Sequence, residues 1–261
     1  MEKIRTIGLF TKGIIYGLIG ILALLAALGV GGQAAGTSGV LNFLREQPFG
    51  RFLVILIGIG LAGYAIWRIY QALVDPTNEG DDKTGTAKRI GYFVSGAIYG
   101  TLGVSILTSN GSSSGSGSKQ SWASWLLNQD YGQTLMIVVA IILLGVSIYK
   151  IYKGLSKKFL EDVRDRGRIT HQKLLERSGM VGISARGVAF GIFAYFVYRT
   201  AVNNNPGAVR GMEGMFDFLQ NQSGGTFLVG LMAIGLLAYG IYQFYLGNNT
   251  KVYIKEPQLR A

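Results

Sequence analysis

One short phrase occurs three times along this chain, and it constrains the fold more than any other feature. The phrase is Ile-Gly-Leu-Phe-Thr-Lys-Gly-Ile-Ile-Tyr-Gly at residues 7–17, and related phrases cover residues 90–100 and 181–191. Each copy opens a long apolar stretch, and each is followed by a second apolar stretch that also repeats. Such a period indicates that one supersecondary unit is used three times. The sequence therefore predicts three tandem membrane hairpins rather than one soluble core.

The composition agrees with a chain whose solvent is the lipid bilayer. Hydrophobic residues make up 49% of the 261 residues and charged residues only 15%, unlike an ordinary soluble domain. We predict an all-α integral membrane protein with six transmembrane helices, at residues 8–28, 52–74, 90–107, 133–152, 180–202 and 226–246. The predicted organisation is repeat 1 (1–76), a cytoplasmic linker (77–89), repeat 2 (90–156), a basic cytoplasmic linker (157–178), repeat 3 (179–248) and a cytoplasmic tail (249–261).

Lysine and arginine are distributed unevenly between the two ends of these spans. Of the 25 Lys and Arg residues, all but Arg45, Arg51, Lys119, Arg199 and Arg210 lie on the side that holds both termini. Short loops rich in Lys and Arg are retained in the cytoplasm, so both termini are expected to be cytoplasmic. The net charge of +11 then follows from membrane topology, and we expect no nucleic-acid partner.

The second span of each hairpin ends in an aromatic and basic segment, at residues 63–70, 145–152 and 238–245. Tyr and Trp are favoured at the headgroup level, because one part of the ring system is apolar and another part can form a hydrogen bond. We therefore expect interfacial aromatic anchors at Trp67, Tyr70, Tyr149, Tyr152, Tyr242 and Tyr245.

A further repeated segment precedes each second span, at residues 43–50, 125–132 and 218–225. Each copy begins with apolar residues, continues with polar ones and ends in a glycine. The pattern predicts short amphipathic helices on the outer surface, packed across the hairpins.

Pairs of glycines four residues apart lie on the first span of each hairpin. The pairs are Gly13 and Gly17, Gly96 and Gly100, and Gly187 and Gly191. Gly-x-x-x-Gly allows two backbones to approach closely, which matters in lipid because little hydrophobic force acts between helices there. We expect packing within the chain, with a homo-oligomer as the alternative. Since each repeat has two spans, successive repeats enter in the same orientation, which predicts parallel repeats around a pseudo-threefold axis.

The three hairpins, the Gly-x-x-[Tyr/Phe]-Gly openings and the tyrosine-rich ends of the second spans resemble the bacterial domain-of-unknown-function 1206 family. The resemblance covers essentially the whole chain. It implies a six-span protein of the bacterial inner membrane, but it implies no established reaction, ligand or catalytic residue. The middle copy departs most from the pattern, with Ser95 where the other copies have Lys12 and Arg186.

Six repeat-equivalent positions lie near the predicted inner end of the spans. They are Lys12, Ser95 and Arg186 on the first spans and Arg68, Lys150 and Gln243 on the second spans. Charge within a span is costly and indicates function, and four cations at one level could bind an anionic lipid headgroup or another anion. Alternatively, each side chain could extend to the headgroups as a topological anchor. The sequence leaves both interpretations open.

The remaining residues offer little for catalysis. The chain has no cysteine and one histidine, His171, which lies in a basic connection and is expected to be solvated. The acidic residues near it alternate with arginines, as on a charged surface rather than in a metal site. We therefore expect no enzyme activity, no metal and no cofactor.

The expected role is that of a scaffold or accessory subunit. Its partners would be membrane lipids and a protein at the cytoplasmic face, where the aromatic and basic residues are concentrated. A passive channel or transporter for a small solute or anion is the alternative, and it would need a polar path along the axis.

Overall fold

The computed structural model describes residues 2–30, 36–108, 123–160 and 172–249, and its regular structure within these ranges is helical. Its main helices are α1 (Glu2–Ala27), α2 (Thr37–Arg45), α3 (Gly50–Val74), α4 (Lys83–Thr108), α5 (Gly132–Leu155), α6 (Gln172–Asn203), α7 (Met212–Gln220) and α8 (Gly225–Asn249). The serine-rich segment 110–118, His171 and the tail from residue 250 lie outside the described residues.

The six predicted spans are confirmed. The helices α1, α3, α4, α5, α6 and α8 are long and apolar enough to cross a membrane. Three of them, α1, α4 and α6, begin well before the apolar stretch that predicted them. Helical hydrogen bonding continues through the polar residues that precede each stretch, so hydropathy marks the segment suited to hydrocarbon and not the first turn of the helix.

The long helices pack in the same order at each junction between repeats. The second span of one repeat lies against the first span of the next, so that α3 packs against α4 and α5 against α6. The last second span, α8, returns to α1. Within repeats, α1 packs against α3 and α6 against α8, whereas α4 and α5 are not among the described helices that pack side by side. This order does not establish a rotation axis, so the pseudo-threefold arrangement stays a prediction.

A short helical segment precedes the second span of each repeat. The helices α2 and α7 occupy this position in repeats 1 and 3, and residues 123–127 are helical in repeat 2. The segment is followed by a glycine that starts the span. A Cβ atom on Gly50 would lie 2.0 Å from the carbonyl oxygen of Leu44, and the same close approach recurs at Gly132 and Gly225. These three glycines let the chain reverse tightly between the short helix and the span.

An apolar core occupies the half of the bundle nearer the short helices. The side chains of Ile19, Leu61, Phe216 and Leu236 are fully buried there, and they join α1, α3, α7 and α8 in one contiguous cluster. In lipid, such contacts stabilise the bundle through close packing. The other half of the bundle, which holds the start of α1 and the end of α8, contains buried polar residues such as Lys12 and Gln243 beside a smaller apolar cluster around Phe159 and Leu175.

Candidate functional site

The hydroxyl of Tyr64 is the point at which two of the predicted cations meet. Tyr64 lies on α3 and is 1% exposed. Its oxygen accepts a hydrogen bond from Lys12 Nζ of α1 at 3.2 Å and another from Arg68 Nε at 2.7 Å. The Lys12 ammonium also lies 4.4 Å from the centre of the Tyr64 ring and 4.8 Å from that of Tyr99 on α4, within the range of cation–π attraction. Two positive side chains therefore share one phenol group.

Arg186 of α6 connects three other helices through tyrosines. Its Nη1 donates to the hydroxyl of Tyr239 on α8, and its Nη2 donates to the hydroxyl of Tyr99 at 3.2 Å. The guanidinium carbon lies 5.1 Å from the ring centre of Tyr16 on α1 and 4.9 Å from that of Tyr239. These two rings meet edge to face, with their centres 4.9 Å apart. The geometry places Arg186 among α1, α4 and α8.

Lys150 of α5 joins this group through Phe190. Its Nζ lies 5.5 Å from the centre of the Phe190 ring, and the guanidinium carbon of Arg186 lies 5.6 Å from the same centre. Arg68 has a second aromatic neighbour in Tyr92 of α4, at 4.8 Å. We refer to Lys12, Arg68, Lys150 and Arg186, with Tyr16, Tyr64, Tyr92, Tyr99 and Tyr239, as the basic–tyrosine cluster.

In the part of the chain that the structure describes, no carboxylate forms an ion pair with the four cations of the cluster. Ion pairs in this part include Lys88 with Glu79 at 2.8 Å, Arg89 with Asp81 at 2.7 Å, and Lys157 with Glu176. Tyrosine hydroxyls and rings offer dipoles and quadrupoles to a cation but no compensating charge. Positive charge held away from water without a counter-charge is costly.

The three repeats of the sequence correspond to a known family. Its description is Domain of Unknown Function (DUF1206), and it matches residues 7–75, 90–157 and 181–248. The chain belongs to the DUF1206 family. A relative, the uncharacterised protein YxxB of Bacillus subtilis (strain 168), is 31% identical over 250 residues, which cover 95% of this chain and 90% of the relative. No solved structure matches the chain.

Four of the six predicted site residues come together in this DUF1206 chain, and they are the four cations of the cluster. Ser95 is half-buried on α4 and forms no hydrogen bond into the cluster among the described residues. Gln243 is buried on α8, and its Oε1 has no hydrogen-bond partner within the same ranges. Lys12 is only 4% exposed, so its tyrosine partners hold it inside the bundle, whereas a topological anchor would extend along the lipid surface.

The tyrosines of the cluster are the functional candidates that sequence reasoning missed. Tyr16 and Tyr99 close the Gly-x-x-Tyr-Gly phrases of the first two DUF1206 repeats, and Tyr64 stands four residues before Arg68. Residues four apart share a helix face. That spacing was the signal in the sequence that could have paired Tyr64 with Arg68, whereas the tyrosine partners of Lys12 and Arg186 lie on other helices.

The predicted interfacial rings fall into two groups. Trp67 and Tyr242 are buried, and Tyr242 packs edge to face against Phe159 with ring centres 5.6 Å apart. These two rings therefore lie on helix faces that meet other protein segments, not on the lipid side. Tyr149 and Tyr152 are exposed, while Tyr70 and Tyr245 are half-buried. An anchoring role at the membrane surface stays a prediction for these four.

The glycine pairs of α4 and α6 face the preceding repeat, and Gly13 of α1 faces α8 of the last repeat. A Cβ on Gly96 of α4 would lie 2.8 Å from Ile69 Cγ1 of α3, and one on Gly187 of α6 would lie 2.7 Å from Ile151 Cγ1 of α5. On α1 the distance from Gly13 to Phe244 of α8 would be 3.0 Å, whereas a Cβ on Gly17 would meet nothing within 4 Å. The second glycines of the other pairs, Gly100 and Gly191, have neighbours at 3.4 Å and 3.0 Å.

Proposed function

We propose that this protein is a non-enzymatic, multi-pass membrane protein that binds the anionic headgroup of a lipid in its basic–tyrosine cluster. The observation that carries the proposal is the convergence of four cations from α1, α3, α5 and α6 on shared aromatic partners, with no carboxylate paired to them in the described residues. Charge of one sign inside a membrane bundle marks a site for the opposite sign.

The donors suit the oxygens of a phosphate group. A guanidinium presents several N–H groups in a planar fork, and an ammonium is a compact positive charge, so Arg68, Arg186, Lys12 and Lys150 together offer both kinds of contact. Basic pockets between membrane helices are a known way of binding anionic lipid headgroups. Free phosphate has the same chemistry and is separated from the lipid by the experiment below.

The membrane setting is part of the proposal. The positive-inside distribution of lysine and arginine supports an inner bacterial membrane with both termini in the cytoplasm. The cluster lies in the half of the bundle that holds the start of α1 and the end of α8, so it would face the inner leaflet.

Apolar packing in the other half of the bundle favours a binding or scaffold role over a permanently open channel. Met215 and Phe216 of the short helix α7 are fully buried against α1 and α8 residues such as Ile19 and Leu236. A polar path would have to pass through this layer. We therefore propose a scaffold or accessory subunit that holds an anionic lipid and presents its basic inner connections to a partner protein.

Native mass spectrometry of the protein in mild detergent tests lipid binding. Titration with phosphatidylglycerol should give a saturable adduct, and titration with zwitterionic phosphatidylethanolamine should not. The Arg186→Gln variant should bind phosphatidylglycerol about tenfold more weakly, since tenfold corresponds to the loss of one moderate contact. Arg199→Gln is the matched control, because Arg199 lies on the same helix but is exposed and bonded to Tyr195.

The binding of the variants and of inorganic phosphate decides where the lipid binds and whether a lipid is required. Equal binding by the Arg186→Gln and Arg199→Gln variants would place any lipid outside the cluster and overturn the proposal. A saturable adduct with inorganic phosphate but none with phosphatidylglycerol would show a site for a soluble anion instead. Arg186→Lys, which keeps the charge, separates loss of binding from loss of folding.

A further inference from the structure

We infer that the lipid enters the cluster sideways, through an opening between α4 and α5, and that its acyl chains lie in that opening. The inference rests on the proposed function, because it assigns a route and a chain-binding surface to the same headgroup site. It is carried by the packing of the middle repeat and by the residues that this repeat lacks.

The middle repeat is the one whose two spans separate. In repeats 1 and 3 the two spans pack against each other, but α4 and α5 do not pack side by side in the described structure. Only 17% of the most apolar segment of α4 or α5 is buried, against 39% to 56% in the other four spans. The bundle is therefore least closed along these two helices.

The sequence gives a physical reason for the separation. A cation on the first span binds a tyrosine on the second span in the two closed repeats: Lys12 donates to Tyr64 at 3.2 Å, and Arg186 donates to Tyr239. The equivalent residues of the middle repeat are Ser95 and Val146. A serine is too short to cross between spans, and a valine has no acceptor. The hydrogen bond that joins the two spans of the other repeats therefore cannot form between α4 and α5.

The chemistry around the opening matches a lipid. Lys150 projects from α5, and its ammonium and the Arg186 guanidinium contact the same Phe190 ring. Positive charge therefore lies next to the opening between α4 and α5. Exposed side chains along the two helices are largely aliphatic, including Ile98 of α4 and Ile142 of α5. An anionic lipid matches both features, because its headgroup can bind the cations and its hydrocarbon chain can pack on the aliphatic surfaces of α4 and α5. A soluble anion would bind the cations only. Because only the middle repeat lacks the hydrogen bond between its two spans, one lipid per chain is expected.

Photolabelling locates the acyl chain. Phosphatidylglycerol with a diazirine at the end of one acyl chain is added to the folded protein in detergent, irradiated, and the labelled peptides are mapped with and without excess unlabelled phosphatidylglycerol. Labelling that the unlabelled lipid removes should fall on peptides of α4 and α5. At a lipid concentration below saturation, this labelling should be about tenfold lower in the Arg186→Gln variant and unchanged in Arg199→Gln.

A second variant tests the opening itself. The double substitution Ser95→Arg/Val146→Tyr supplies the missing pair and should draw α4 toward α5, which should lower the competable labelling about tenfold. Ser95→Arg alone adds the same charge without its tyrosine and should leave the labelling intact. Equal labelling of the single and double variants would overturn the route through α4 and α5.

The two proposals fail in different ways. If wild-type protein gives no saturable adduct with phosphatidylglycerol, the proposed function fails. If a saturable adduct forms and depends on Arg186, but the competable label falls on α1, α3, α6 or α8, headgroup binding stands and the entry route is wrong.

Discussion

Lys12 shows what a repeat can and cannot predict about a single side chain. Comparison of the three copies placed Lys12, Arg68, Lys150 and Arg186 at one end of the spans, and the structure brings these four together. The partners were not predictable, because a long side chain can extend to the headgroups or turn inward. The choice depends on how each helix is rotated about its axis, and a span that is apolar on all sides gives no periodicity from which to deduce that rotation.

Replacement of Tyr64 by phenylalanine tests the shared hydroxyl. The change removes the acceptor of both Lys12 Nζ and Arg68 Nε and keeps the ring. Hydrogen bonds to charged groups contribute about 1.5–3 kcal/mol each, and buried donors are costly to leave unpaired, so we expect Tyr64→Phe to lose about 2 kcal/mol of stability. Thermal unfolding in detergent measures this. Tyr198→Phe, on an exposed ring, is the control, and equal melting temperatures for the two variants would contradict a structural role for the Tyr64 hydroxyl.

Among the helices, the apolar spans were predictable and several of their starts were not. The span predicted from residue 90 begins at Lys83, seven residues earlier. Asp82 explains the difference, since its carboxylate accepts hydrogen bonds from the backbone N–H groups of Gly85 at 3.1 Å and Thr84 at 3.3 Å. An aspartate at this position is a recognised N-cap, but the hydrophobic pattern begins only two turns later.

The cap on α4 should depend on pH. The backbone N–H of Gly85, helped by that of Thr84, holds the pKa of Asp82 below its ordinary value of 3.8. Because the pKa is lowered by folding, the charged cap stabilises the helix above the unfolded-state pKa, and the stabilisation is lost as pH falls through the folded-state pKa. At neutral pH, Asp82→Ala should speed amide hydrogen exchange at residues 84–86. Asp130→Ala, at another exposed acidic residue, should leave that exchange unchanged. Equal exchange in the wild type and the Asp82→Ala variant would refute the cap.

The backbones of α1 and α8 are in close contact. A Cβ on Gly240 of α8 would lie 2.8 Å from the backbone nitrogen of Gly17 and 2.9 Å from the carbonyl oxygen of Gly13 on α1. The glycine pair on α1 was evident from its spacing, but Gly240 was not, because it stands alone in the phrase Ala-Tyr-Gly. Of the two helices in this contact, only α1 carried a recognisable Gly-x-x-x-Gly motif in the sequence.

Substitution on the two sides of this contact should have opposite results. Gly240→Ala must push α8 away from the backbone of α1, and overpacking of this kind costs about 1–3 kcal/mol. Gly17→Ala on the facing helix meets nothing within 4 Å, so it should be neutral or gain up to about 1 kcal/mol from helix propensity. Unfolding of both variants in the same detergent compares them directly. A Gly240→Ala variant as stable as Gly17→Ala would show that the two backbones are not in close contact.

In the whole molecule, the three hairpins of the sequence do not form three separate pairs of packed helices. Chain connectivity suggests that the two spans of a repeat are partners, yet every second span packs on the first span of the following repeat, and α8 on α1. Small residues allow close helix contacts in lipid. The glycine pairs of α4 and α6 face the preceding repeat, and Gly13 of α1 faces α8. The pattern of Ser95 and Val146 was visible in the sequence, but its consequence for α4 and α5 depended on contacts that only the structure supplies.

The orientation of the molecule decides which leaflet the cluster meets, and the absence of cysteine makes it measurable. Single cysteines can replace Ser156, at the end of α5, and Ser223, before α8; both serines are exposed. In intact cells a membrane-impermeant maleimide should label Ser223→Cys and leave Ser156→Cys unlabelled, and both should react after permeabilisation. The reverse pattern would place the termini and the cluster at the outer leaflet, and the anionic lipid would then have to come from that side. The same cluster chemistry would remain, but a cytoplasmic partner for the basic connections would be ruled out.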